Sequence, residues 1–191
     1  MCGRFYIPEN DMPEELQAVI DALERRQGTP VRRGEIRPAD RAPVVAGNRQ
    51  HIPTPFLMRW GYTLPGGRLV FNTRSETAAQ RPLFADGVNQ RRCLIPAAHY
   101  YEWERRGRER IRYAIRPEGQ QMLWLAGIYR FEDDMPVFSV LTRSPSEEIA
   151  FIHDRMPVIL PPLAARTWLA PDGDWQAALS QASLAMDYGA M

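Results

Sequence analysis

The sequence predicts an α+β fold: one domain on a strongly curved, barrel-like mixed β-sheet with peripheral helices. Three observations carry this. Short apolar runs bounded by Gly, Pro and Asn turns recur between residues 44 and 160, enough for roughly seven to nine strands. An apolar 3.6-residue period marks a helix near the start, and further helical stretches close the chain, about four helices in all. No internal repeat, low-complexity stretch or interdomain linker divides the 191 residues, so residues 2–191 read as a single domain.

Taken in order, residues 2–7 form an apolar opening strand. Asn10, Asp11 and Pro13 then mark a helix start, since Asn or Asp caps free N–H groups and Pro suits the first turn. Met12, Leu16, Val19, Ile20 and Leu23 make one apolar stripe, and Gly28, Thr29 and Pro30 end it. Residues 28–42 read as an extended loop. Strands at 44–46 and 50–60 join through Gly47 and Asn48, and Pro53 and Pro55 make the second an edge or bulged strand. A turn at 64–67 leads to a short strand at 69–71, and 81–84 form a helical turn. Residues 93–96 and 99–103 are buried strands. Residues 105–108 turn into a strand where Ile111, Tyr113 and Ile115 alternate with Arg110, Arg112 and Arg116, a period of two. Strands follow at 123–131 and 137–142, then a short helix at 144–152, a strand-like segment at 157–160, and closing helices at 161–169 and 175–184.

Composition excludes several classes. No apolar run approaches the ~20 residues of a membrane span, and no basic flank with an apolar block marks a secretory signal. The two cysteines, Cys2 and Cys93, are too few for a disulfide framework or a Cys-based zinc site. A cytoplasmic location is expected. The net charge of +1 does not announce a nucleic-acid binder. All 24 basic residues are Arg, so an aldehyde would meet no lysine amine, only the terminal one. Arg also forks onto phosphate better than Lys does.

The candidate chemistry starts at Met1-Cys2-Gly3-Arg4. Initiator Met is normally trimmed before a small residue, which would leave Cys2 with a free α-amine beside its thiol. That pair can condense with an aldehyde to an imine and close as a five-membered thiazolidine. The amine titrates near ~7.7–8.0 and the thiol near ~8.5, so neutral pH leaves part of each nucleophilic. Cys2 also reads simply as the first residue of a buried strand, residues 2–7. Glu102, between Tyr101 and Trp103, is either a desolvated proton-transfer group or a carboxylate on an open strand face. His153 is either a proton shuttle or structural. Asn72 either caps a turn or makes a catalytic hydrogen bond, and Trp60 either stacks on a base or belongs to the core. Phosphate-loop, HExxH and G-x-S-x-G motifs are absent.

MCGRF at 1–5, RWGYTLP at 59–65, NTRSET at 72–77, RPLF at 81–84, RCLIPAAHYYEW at 92–103 and HDRMPVIL at 153–160 together resemble the SOS response-associated peptidase (SRAP) family. Its members sense abasic sites in single-stranded DNA and form covalent DNA–protein crosslinks. The resemblance runs from residue 2 to about residue 170, leaving 171–191 as an expected C-terminal helical extension. It implies an SRAP-type domain with a basic groove, and removal of Met1 by autoproteolysis or an aminopeptidase. Cys2 becomes the nucleophile that traps the ring-opened sugar as a thiazolidine. Glu102 assists ring opening and imine chemistry, His153 handles protons, and Asn72 orients the Cys2 terminus. Arg74 and Arg155 grip flanking phosphates, joined by Arg4, and Trp60 is an aromatic wedge near the kinked strand. The implied partner is single-stranded DNA containing abasic sites, at junctions with duplex in some cases. A monomer, nucleoid-associated when bound, without metal, organic cofactor or membrane, meets the need.

The chain departs from the family at Ala98-His99, where Asp-Gly is usual, which predicts an altered turn before Glu102 and a second imidazole nearby. It also has Pro38-Ala39 where Pro-Thr is common. Two rival functions remain at this stage. One is a thiol peptidase using the same terminal nucleophile on peptides. The other is a non-catalytic single-strand binding module held by Arg and aromatic rings.

Overall fold

Residues 5–7 alternate inward and outward, with Phe5 and Ile7 buried around the less buried Tyr6, and they form the first strand, β1 (Phe5–Ile7). The computed structural model describes residues 2–183 and 185–191. Helix α1 (Glu14–Gln27) buries Leu16, Ile20 and Leu23 along the expected stripe, each contributing roughly 1.5–3 kcal/mol. Pro13 rather than Asn10 or Asp11 stands at its N-cap and makes no side-chain cap bond. Glu14 and Glu15 in the first turn complement the free N–H groups instead. Gly28 ends the helix at φ 68°, its N–H donating to Glu24 O at 2.8 Å.

The expected loop at 28–42 holds β2 (Gly34–Ile36) and the start of β3 (Arg41–Gly47). Three residues are too few to show a period, which is why β2 escaped sequence reasoning. In β4 (Pro53–Trp60), Pro53 and Pro55 pair with β3 in the half that has no second neighbour, so their missing N–H groups leave no ladder bond unmade. A small hairpin of β5 (Tyr62–Thr63) and β6 (Leu69–Val70) leads into β7 (Asn72–Arg74). Helix α2 (Pro82–Gln90) extends the expected helical turn. Strands β8 (Arg92–Ala97), β9 (His99–Arg106), β10 (Glu109–Pro117), β11 (Leu123–Glu132) and β12 (Met135–Arg143) follow. The short helix expected at 144–152 is a single 3₁₀ turn, Glu147–Ile149. The chain closes through β13 (Met156–Pro157), α3 (Pro162–Leu169), α4 (Trp175–Ser180) and β14 (Met186–Ala190).

Strands β11–β8–β3–β4–β12 form a sheet that closes on itself through β11–β12 pairing, a barrel to which β7 and β13 are added along β12. A second sheet runs β14–β10–β9–β1–β2. Pairing is antiparallel except where β12 meets β4 and β7. The barrel wall is buried on both faces. Val44, Cys93, Ile95, Phe138 and Val140 join one core with Phe5, Trp60 and α1. Val45, Leu94, Ile128 and Leu141 join another with Phe84 of α2 and Trp168 of α3. Two-sided burial explains why β8 reads as a continuous apolar run rather than an alternation. Among the described residues no helix is long and apolar enough to cross a membrane.

Residues 171–191 are not a helical extension. Asp174 caps α4 by accepting from the Gln176 and Ala177 N–H groups, but the helix stops at Ser180. Leu184, the expected helix end, lies outside the described residues. Beyond it β14 pairs along β10 from Met186↔Pro117 to Ala190↔Tyr113. The outer edge of β10 offers unpaired backbone groups that a strand satisfies and a helix would not.

Gly127 of β11 has no room for a side chain: a Cβ would stand 2.5 Å from Ile95 Cδ1 and 3.1 Å from Cys93 Sγ. Gly127→Ala is therefore expected to cost about 1–3 kcal/mol, read as a lower urea midpoint. An unchanged midpoint would contradict this packing of the barrel.

Candidate active site

The chain passes from barrel to second sheet at a single residue, Ala98, whose N–H donates to Tyr6 O at 2.9 Å. That corner sends β9 alongside β1, but only briefly. Phe5 pairs with Tyr100, and Tyr101 N–H donates to Arg4 O at 2.9 Å. Past Tyr101, β9 keeps β10 on one side and presents an open edge on the other. The first residues of the chain lie at that edge.

Cys2 is wholly buried. Its Sγ lies 3.8 Å from Arg4 O, and Asn72 Nδ2 donates to Cys2 O at 2.8 Å. Asn72 reaches it because β7 pairs parallel to β12, Asn72 opposite Val140. Burial pushes the Cys2 thiol far above its ordinary range, and the Glu102 charge adds to the rise. Glu102 is 4% exposed. Desolvation raises its pKa, while the charge of His153 works the other way. His153 Nδ1 accepts the Arg155 N–H at 3.1 Å and lies 2.6 Å from Asp154 Oδ1. These two contacts exclude each other. With the N–H bond made, the ring proton sits on Nε2; with Nδ1 protonated, the ring pairs with Asp154.

Gly3, Arg4, Glu102, Trp103, Arg105, Arg110 and His153 line an open cleft of about 590 Å³. Three guanidiniums around one carboxylate make it basic. Arg4 is partly engaged by Glu35, at 2.5 Å, and lies 5.2 Å from the Trp103 ring centroid. The structure thus brings Cys2, Asn72, Glu102, His153 and Arg4 together from four parts of the sequence. Met1 lies outside the described residues.

Other expected site residues stand elsewhere. Trp60 is not an exposed wedge. It is wholly buried against Phe5, Phe71 and Phe138, and its Nε1–H donates to Phe71 O at 2.8 Å. An indole ringed by aromatics with its one donor satisfied belongs to the core. Arg155 forks onto Glu76 at 2.7 and 2.8 Å and donates to Thr142 O, so it braces the loop that carries His153 and does not line the cleft. Arg74 is exposed at the end of β7. His99 does not join Glu102. Three residues apart on one strand, they take opposite faces, and His99 stacks on Tyr6 with ring centroids 4.8 Å apart.

Sequence reasoning missed Trp103, Arg105 and Arg110. A signal was available, since a turn centred on Gly107 places Arg105 directly opposite Arg110. Opposed like charges are unfavourable unless an anion lies near. Among the described residues no group of His, Cys, Asp or Glu is arranged to hold a metal ion.

The SOS response associated peptidase (SRAP) family profile matches residues 1–190. "Abasic site processing protein YobE" of Bacillus subtilis is 33% identical over 126 residues, 60% of this chain, and the match spans only 58% of that relative's length. "Abasic site processing protein YedK" of Escherichia coli is 29% identical over 180 residues, covering 88% of this chain and 79% of that one. A crystal structure of a Bacteroides thetaiotaomicron protein superposes with a TM-score of 0.75 at 19% identity, over all of this chain and 92% of the other, a likeness of fold.

Burial, helped by the charges of Arg116 and Arg112, lowers His99 from 6.5 to about 4. The folded state therefore holds this imidazole neutral, and stability present above pH 6.5 is lost as pH falls toward 4. The ring is partly exposed, so the discounted loss is about 1–2 kcal/mol. Urea unfolding at pH 7 and pH 4 should show wild type losing that much more than His99→Phe; equal losses would contradict a neutral buried ring.

Proposed function

The match over residues 1–190 makes the chain a member of the SOS response associated peptidase family, and from that premise we propose that it processes abasic sites in DNA through a covalent adduct on Cys2. The observation that carries the reading is the meeting of Cys2, Asn72, Glu102 and His153 beside one Arg-lined cleft. Hydrolysis of the Met1–Cys2 bond, consuming one water, frees the α-amine. Asn72 holds the Cys2 carbonyl through Nδ2, and its Oδ1, which has no hydrogen-bond partner among the described residues, is an acceptor for that amine.

A ring-opened abasic sugar presents an aldehyde. The neutral amine adds to it, and the carbinolamine loses water with a proton from Glu102, whose raised pKa keeps one available. The Cys2 sulfur then adds to the imine carbon. Its proton passes to Glu102, and the imine nitrogen ends as a secondary amine in a thiazolidine. The net change is loss of one water. Because burial keeps the thiol protonated, the amine leads and the sulfur follows. His153 with its proton on Nε2 serves the sugar hydroxyl. The guanidiniums of Arg4, Arg105 and Arg110 hold phosphates.

Single-stranded DNA is the substrate that fits. A sugar must leave the stack to reach a carboxylate only 4% exposed, and unpaired strands yield one at least cost. The proposed working unit is a monomer. The expected setting is the cytoplasm, on the nucleoid when DNA is bound, and no step calls for a metal or organic cofactor.

Incubation with a single-stranded abasic oligonucleotide should give a band that survives a denaturing gel, and an undamaged one should give none. Cys2→Ala abolishes the band, Cys93→Ala leaves it, and Glu102→Gln slows its formation about 100-fold with folding retained. Equal, salt-sensitive affinity for both strands without covalent product would overturn the reading in favour of a simple binding module.

A further inference from the structure

Beside the cleft stands an aromatic cluster that the chemistry above does not use. Phe151 and Tyr188 are 48% and 46% exposed, with ring centroids 5.4 Å apart and planes at 67°. Each also meets Tyr113 edge-on, at 5.8 and 5.9 Å. Tyr113 is nearly buried and anchored, its hydroxyl donating to Glu104 Oε2 at 3.0 Å. Three distant segments build the cluster. Tyr113 comes from β10 and Tyr188 from β14, while Phe151 follows the 3₁₀ turn Glu147–Ile149. Met186 N–H donates to Glu148 Oε2 at 3.1 Å, which ties β14 to that turn. Two half-exposed rings are thus seated on a third.

Their position gives the pair a use. Tyr113 lies directly opposite Glu102 across β9–β10, so the two side chains share a face. Phe151 is two residues from His153, and both Glu102 and His153 line the cleft. The nearby Glu104 carboxylate is matched by the fork of Arg106, at 3.0 and 3.1 Å, so it does not repel a polyanion. Arg105 and Arg110 line the same cleft and face each other across the ribbon, an arrangement an anion stabilises. Exposed rings on the Glu102 face of the ribbon, with guanidiniums lining the cleft at its edge, match the way unpaired strands are bound, with phosphates on cations and bases on rings.

We infer that Phe151 and Tyr188 form a stacking platform for an unpaired nucleobase flanking the lesion. This rests on the DNA reading above and adds where the neighbouring base goes. Stacking uses the ring face, so the platform accepts any base and favours purines.

The test uses fluorescence anisotropy with a single strand carrying a tetrahydrofuran abasic analogue, which lacks the aldehyde and so reports binding alone. Phe151→Leu and Tyr188→Leu keep apolar bulk but remove the ring. Each should bind about tenfold more weakly, the scale of one lost base–ring stack. Tyr188→Phe should bind as wild type. A second tetrahydrofuran beside the first, removing the flanking base, should weaken wild type by a similar factor and the Leu variants no further. Leu variants that bind as tightly as wild type would overturn the platform while leaving the DNA reading standing. Weakening by Tyr188→Phe equal to that by Tyr188→Leu would also overturn it. So would a wild-type dimer that the Leu variants split with DNA affinity unchanged, since the rings would then serve a second copy of the chain. No binding by wild type would remove the DNA reading and the platform with it.

Discussion

One hydrogen bond sets the position of everything else: Asn72 Nδ2 to the carbonyl of Cys2, 2.8 Å long and spanning 70 residues of sequence. A chain terminus is ordinarily the least ordered part of a domain. Here Cys2 is wholly buried, and its backbone is gripped by the side chain of Asn72 on β7, the strand added along β12. Trp60 supports both partners. Its indole N–H holds the carbonyl of Phe71, the residue before Asn72, and its ring packs 5.0 Å from Phe5, three residues after Cys2. The indole that the family resemblance placed against DNA instead holds the Cys2 segment and Asn72 in register.

The electrostatics of the cleft follow from where each charge can be solvated. Cys2 and Glu102 are two buried acids, and burial raises both, the Glu102 charge adding to the rise at Cys2. Such a pair does not generate a resting thiolate. In the proposed chemistry it would keep protons available for dehydration of a carbinolamine and let an amine act before sulfur. The cations sit at the rim, where guanidiniums stay partly hydrated. Glu35 takes hydrogen bonds from Arg4, Arg37 and Arg112, so part of the positive charge is compensated internally. That fits a chain whose net charge is only +1 and favours local phosphate contact over broad affinity for DNA.

Much of this was legible in the sequence. The α1 stripe, the two prolines of β4, the alternation of β10 and the curved sheet are local patterns, and they emerged as expected. That Cys2, Asn72, Glu102 and His153 lie near one another was legible through the resemblance of their motifs, not through any local pattern. What local pattern cannot carry is contact between distant segments. Trp60 beside Arg59 looks the same in sequence whether exposed or buried; only the rings of Phe5, Phe71 and Phe138 decide. Arg155 looks like a phosphate ligand until Glu76 is found facing it. The strand β14 reads as an extension of a helix because the free edge of β10 that recruits it is invisible in one dimension.

The central claim is that the working end of the molecule is a free Cys2 amine and thiol. Intact-mass measurement of the purified protein, before and after mixing with a single-stranded abasic oligonucleotide, tests it most directly. The account predicts a protein lighter by Met1, then a species heavier by the oligonucleotide less one water, with the adduct mapping to Cys2. A protein that keeps Met1 and gains no mass, or an adduct mapping to another residue, would contradict it.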